Sequence, residues 1–169
     1  MRQTFTSANT SINSAKLPAI YHKIDFRYLD IMEHGLMVLD YGCGKFTNGM
    51  DYIKDEYGGY FGYDKYNLPD DVNTHAMRAF HNGEITCILC SNVLNVIDSD
   101  DVLLEITSNF VWSGLPYFVT VYEGDKSGKG KSTKADCYQR NEHIQNYMKY
   151  FPGAVIKHGV ITNAPEYVK

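Results

Sequence analysis

Apolar positions along the chain fall into short runs that alternate between two periods. "LMVLD" (36–40) is a continuous apolar run closed by an acid and a glycine, the pattern of a strand buried on both faces. "YFGYD" (60–64), the run at 85–90 inside "EITCILCSN", and "LPYFVTVYE" (115–123) repeat that pattern with β-branched and aromatic residues. Between them the spacing turns helical. Residues 48–57 form a helix capped by Thr47 or Asn48, and "DSDDVLLEITSNFVW" (98–112) carries aspartates where a first helical turn favours them. "LPAIYHKIDFRYLDIMEHG" (17–35) has near-helical spacing and stops at Gly35. "NLPDDVN" (67–73) breaks the pattern as a loop, and "GDKSGKGKSTKAD" (124–136) as an exposed mobile loop. "CYQRNEHIQNYMKYF" (137–151) is expected to be a helix stopped by Pro152, and "AVIKHGVITN" (154–163) a closing strand or hairpin around Gly159.

Strands alternating with helices predict an α/β fold: a doubly wound, mostly parallel, Rossmann-like sheet with helices on both faces. With 169 residues and no composition break, residues 1–169 form one domain, with 1–15 as a flexible or cofactor-covering arm.

Composition narrows the function classes. Hydrophobic residues at 44% and charged residues at 21% are a globular balance, and a net charge of −4 supplies no overall field for nucleic acid. The polar start, without an apolar stretch after Arg2, is unlike a signal peptide, and no run is long enough to cross a bilayer. A cytoplasmic chain without membrane partners is expected, its four cysteines reduced. Cys87 and Cys90 form a C-x-x-C, but strand geometry sends them to opposite faces and no second Cys/His pair follows, so they are core residues and no metal site is expected.

The candidate chemistry lies in "LDYGCGK" (39–45). Two glycines after a strand let the backbone approach a ligand that a Cβ would hold off. A dinucleotide turn needs G-x-G-x-x-G, and the third position is Thr47, which disfavours a nicotinamide-dependent oxidoreductase. Asp40 stands two residues before Gly42, and Asp64 ends the next strand, where a carboxylate can accept ribose hydroxyls.

The D-x-G-x-G at a strand end resembles motif I of class I S-adenosylmethionine-dependent methyltransferases. "LDYGCGK", "GYDKYN" and "CSNVLNVI", with a looser "GKGKSTKADCYQRN", resemble more narrowly the methyltransferases associated with DNA phosphorothioation islands and their phage relatives, over residues 36–141. That resemblance implies the class I fold, S-adenosylmethionine as cofactor, and methyl transfer to an unidentified acceptor, a small molecule or a nucleic-acid component. It departs at Lys65, where the family has proline, and "SNVL" (91–94) lacks the Asp/Asn-Pro-Pro-aromatic motif of amino-methylating DNA enzymes. A cofactor-binding sensor or partner subunit without catalysis is the alternative from a different class.

Asp40, Gly42, Gly44 and Asp64 are therefore the expected cofactor residues, with Tyr41, Cys43 and Asn92 lining the same pocket and Tyr63 or Tyr66 shielding the adenine. Asn95, Lys131 and Arg140 are candidates for the acceptor side. Lys126, Lys129, Lys131 and Lys134 form either a phosphate clamp that could take nucleic acid or a solvated loop. None of the six histidines stands where a base is needed.

Overall fold

A computed structural model describes residues 3–9, 16–29 and 35–169. Its centre is a six-stranded sheet. β1 (Leu36–Tyr41), β2 (Gly58–Tyr63), β3 (Cys87–Ser91) and β4 (Tyr117–Thr120) run parallel in the order β2-β1-β3-β4. β7 (Val155–Lys157) and β8 (Val160–Thr162) close it as an antiparallel hairpin, with β8 against β4. The fold is thus mixed α/β with a parallel centre, and the closing hairpin makes the sheet mixed. β5 (Lys131–Lys134) and β6 (Cys137–Gln139) form a separate two-stranded ribbon.

Strand alternation splits the core into two layers. Val38, Cys87, Leu89 and Phe118 face α1 (Ala19–Lys23), α2 (Phe26–Leu29) and Ile53 of α3 (Asn48–Glu56). Leu39, Ile88, Cys90 and Val119 face α4 (Asp70–His81) and α5 (Asp100–Ser113). Helices therefore cover both faces, and Cys87 and Cys90 are buried on opposite sides of β3, as the period of two requires. Among the described residues no helix is long and apolar enough to cross a membrane.

Four expectations are corrected. The aspartates after Pro69 do not extend a loop; they occupy the first turn of α4, where carboxylates favour the N-terminal dipole and proline is accepted just before the helix. Residues 131–134 are not open loop but β5, paired with β6. Residues 137–151 are not one helix: β6 takes the start, and a 3-10 segment (Ile144–Tyr150) follows. Residues 17–35 break at Ile24, which bridges to Val168, and the part of that expected helix at 30–34 lies outside the described residues.

The described part of the N-terminal arm, residues 3–9, is docked. Phe5 stacks on Tyr138 at 5.4 Å, the Thr4 N–H donates to Asp98, and Thr6 donates to Asp136 from both N–H and hydroxyl. Residues 1–2 and 10–15 lie outside the described residues.

Candidate functional site

β1 has β2 on one side and β3 on the other: the chain steps from β1 to β2, then crosses back past β1 to β3, so the strand order reverses there. A crevice at the carboxyl end of such a strand is where open α/β sheets bind ligands. The turn after β1 sits there. Gly42 and Gly44 have φ of +78° and +73°, a region that side-chain-bearing residues reach only at a cost of about 1–2 kcal/mol. A Cβ on Gly42 would also come 2.2 Å from Cγ2 of Val93, so the segment after β3 packs directly on this turn. The Gly44 side faces open space.

The turn's amides point inward. The N–H groups of Gly42 and Cys43 donate to the Tyr63 carbonyl at 2.6 and 3.2 Å. The Gly44 N–H donates to Asp64 Oδ2 at 2.9 Å. Asp64 is in turn fixed by its own loop. Its Oδ1 accepts from the N–H groups of Tyr66 and Asn67 and from the Asn67 amide. Asn73, buried on α4, accepts from the Asp64 N–H at 2.8 Å and donates to the carbonyls of Asp64 and Leu68. A carboxylate oxygen takes about two donors, so Oδ2 retains room for one ligand hydroxyl while Oδ1 is spent on the loop.

Asp40 is buried. Tyr21 of α1 and Tyr60 of β2 both donate to its Oδ2, Tyr60 at 2.9 Å. Burial pushes its carboxyl up to about 6; the two tyrosine bonds pull the other way, and the nearby Asp64 charge adds to the rise. Tyr21 and Tyr60 are raised in turn, chiefly by burial and then by the Asp40 charge. The site therefore concentrates negative charge at the turn.

The remaining candidates divide. The Cys43 thiol is half-buried over Gly62, its titration pushed up by burial. The Tyr41 ring lies on the opposite face from Asp40, against Tyr63 at 4.7 Å and edge-on to Phe110. Tyr66 is exposed, with Lys65 near its ring. Asn92 is exposed at φ +57° and lines a cavity beyond β3 and β4. Asn95 is buried, its amide engaged by Gln139 and the Tyr122 N–H. Arg140 is also buried and bonds the Ile97 carbonyl, Asp100 and Glu142, tying β6 to the start of α5. Lys131 is exposed on β5 and paired with Asp125 at 3.1 Å, and Lys126 is paired with Glu123. The structure thus brings Asp40, the glycine turn and Asp64 together, and gives Asn95, Arg140 and Lys131 partners within the protein.

The sequence reading missed Tyr21, Tyr60 and Val93. Tyr60 was accessible by parity: Gly62 is level with Asp40, and Tyr60 lies two residues earlier on the same face. Tyr21 and Val93 had no local signal. Comparison of the chain with protein-family models, with characterised proteins and with solved structures finds no match.

Proposed function

We propose that the chain binds S-adenosylmethionine at the turn after β1 and transfers its methyl group to an acceptor. One observation carries the reading: the amides of Gly42, Cys43 and Gly44 are bonded to Tyr63 and Asp64, so the turn offers a ligand carboxylates rather than free N–H donors. A dinucleotide's pyrophosphate needs such donors and would meet Asp40 and Asp64 as like charges. A ligand with a sulfonium and an α-ammonium group is drawn to the same pair. The dinucleotide reading also asks for two three-stranded parallel halves, whereas this sheet has four parallel strands and then a reversed hairpin.

In this reading Oδ2 of Asp64 takes a ribose hydroxyl, and the open side of Gly44 allows close backbone approach. Asp40, held by Tyr21 of α1 and Tyr60 of β2, keeps its charge buried beneath the turn. The cofactor supplies an electrophilic methyl; the chain's part is to hold the two reacting centres in line, which needs no dedicated catalytic dyad.

Calorimetric titration with S-adenosylmethionine, S-adenosylhomocysteine and NAD tests this. Binding of both sulfur compounds but not NAD is expected, weakened at least tenfold in Asp64→Asn, which keeps an acceptor for the loop. No heat with either sulfur compound, from protein folded by circular dichroism, sinks the reading. Formation of S-adenosylhomocysteine on addition of cell extract separates a catalyst from a sensor.

A further inference from the structure

A cavity of about 280 Å³ opens beside the glycine turn but is lined by neither the turn nor Asp64. Ser91 and Thr120, paired across β3 and β4, form its floor and share a hydrogen bond of 3.3 Å. Ser91 is two residues beyond Leu89, the register partner of Asp40, so the floor continues the face on which Asp40 stands. Lys23 lines it from α1, the helix that also delivers Tyr21 to Asp40, and Asn92, Glu123 and Ile144 complete the polar and apolar walls.

The two charges in this cavity are held apart. The Lys23 ammonium donates to the His158 carbonyl at 2.8 Å, which leaves two of its three donors. Glu123 Oε1 accepts from the Ile144 N–H at 2.8 Å with His143 Nδ1 3.5 Å away, and its Oε2 pairs with Lys126 at 3.0 Å; the backbone bond, then Lys126, hold its carboxyl below the usual range, so it is ionised. No ion pair joins Lys23 to Glu123. Opposite charges lining one small space, Lys23 anchored to backbone and Glu123 to backbone and to side chains outside the cavity, and neither to the other, suit a ligand that carries both. The volume, about that of nine waters of liquid, fits a small molecule.

We propose that this cavity binds a small zwitterion, an amine bearing a carboxylate or similar anion, with the amine on Glu123 and the anion on Lys23, as the methyl acceptor. The ammonium gives a proton to the Glu123 carboxylate, the freed nitrogen lone pair forms the N–CH3 bond as the S–CH3 bond of the sulfonium breaks, and S-adenosylhomocysteine leaves. Its role as acceptor rests on the cofactor reading above. The cofactor's own amino-acid end is also zwitterionic, and the S-adenosylmethionine affinity of the two cavity variants below separates that occupant from an acceptor.

The test is titration of the full chain, without cofactor, with glycine, β-alanine and 4-aminobutyrate, followed by NMR, with n-butylamine and butyrate as single-charge controls. At least one ω-amino acid should bind at least tenfold more tightly than both controls. Lys23→Met and Glu123→Gln should each weaken it tenfold or more, and Lys23→Arg should restore it; Glu123→Gln keeps the acceptor for the Ile144 N–H and so preserves the fold. No binding to folded wild-type protein, equal binding of the single-charge controls, or variants that bind unchanged would overturn the proposal. So would loss of S-adenosylmethionine affinity in both variants, which would give the cavity to the cofactor. Zwitterion binding in a chain that binds no S-adenosylmethionine would support the charged site and overturn the cofactor reading.

Discussion

Asp40 is buried at the end of β1, with two tyrosine hydroxyls on one oxygen and, among the described residues, no cation beside it. Hydrogen bonding does not fully offset the desolvation, so the folded chain holds its proton up to about pH 6, above the ordinary value of 3.8. A carboxyl raised on folding contributes stability that is fully present below the ordinary value and is lost as pH rises through the folded one. Between about pH 4 and pH 6 this residue should therefore remove roughly 2–3 kcal/mol, and above that window the loss is complete. Asp40→Asn keeps an acceptor for both tyrosines and removes the charge. Urea denaturation should find the variant more stable than wild type at pH 8 by about that amount, with the difference gone near pH 4. The same charge is what a cationic cofactor would meet. Affinity for S-adenosylmethionine should fall severalfold in wild type as pH drops from 7.5 to 5, and lose that dependence in Asp40→Asn. A variant that is no more stable at pH 8 would mean that the tyrosines solvate the charge in full.

At the scale of elements, the sequence was legible wherever one period ran uninterrupted. The strand at 36–40, the helix at 48–57 and the helix at 98–112 stand within a residue or two of β1, α3 and α5, with Ser99 capping α5 through the Val102 N–H and Gly114 ending it at φ +68°. It failed where local chemistry has two readings. Pro-Asp-Asp suits a turn and a helix start equally, and the apolar positions of 137–151 suit a helix and an irregular segment pinned by Arg140, whose partners are distant in sequence. The missed helix matters to the site, because α4 supplies Asn73, and Asn73 fixes the backbone that presents Asp64. Asn73→Ala leaves the N–H and carbonyl of Asp64 without these partners. A loss of about 1–3 kcal/mol in denaturant unfolding is expected, together with weaker S-adenosylmethionine binding although Asn73 need touch no ligand. Asn73→Asp, which keeps the acceptor but not the donor, should lie between. Equal affinity in all three proteins would show that the Asp64 loop is positioned by its other bonds alone.

At the scale of the molecule, the alternation of strands and helices was enough to foresee a parallel sheet covered on both faces. It was not enough to foresee the strand order, because neighbours such as β1 and β3 are joined only through long-range pairing. The glycine turn and both carboxylates were legible as residues, and Tyr60 by parity; what was not legible is that the turn spends its amides internally while Tyr21 joins Tyr60 over Asp40. This closure couples ligand binding to global stability, since the groups gathered at the turn come from α1, β1, β2 and the loop that α4 holds. A ligand that binds only the folded chain stabilises it by about 2.7 kcal/mol at a hundredfold excess over its dissociation constant. For a domain of this length that corresponds to a rise in Tm of roughly 5–10 °C. Thermal unfolding with saturating S-adenosylhomocysteine should show this rise at pH 7.5, and NAD at the same concentration should show none. The rise should shrink in Asp64→Asn with the logarithm of the affinity lost, by about half for a tenfold loss. An equal rise with NAD would mean that the turn reads the shared adenosine and not the amino-acid end, and would return the two glycines to the dinucleotide role that Thr47 argues against.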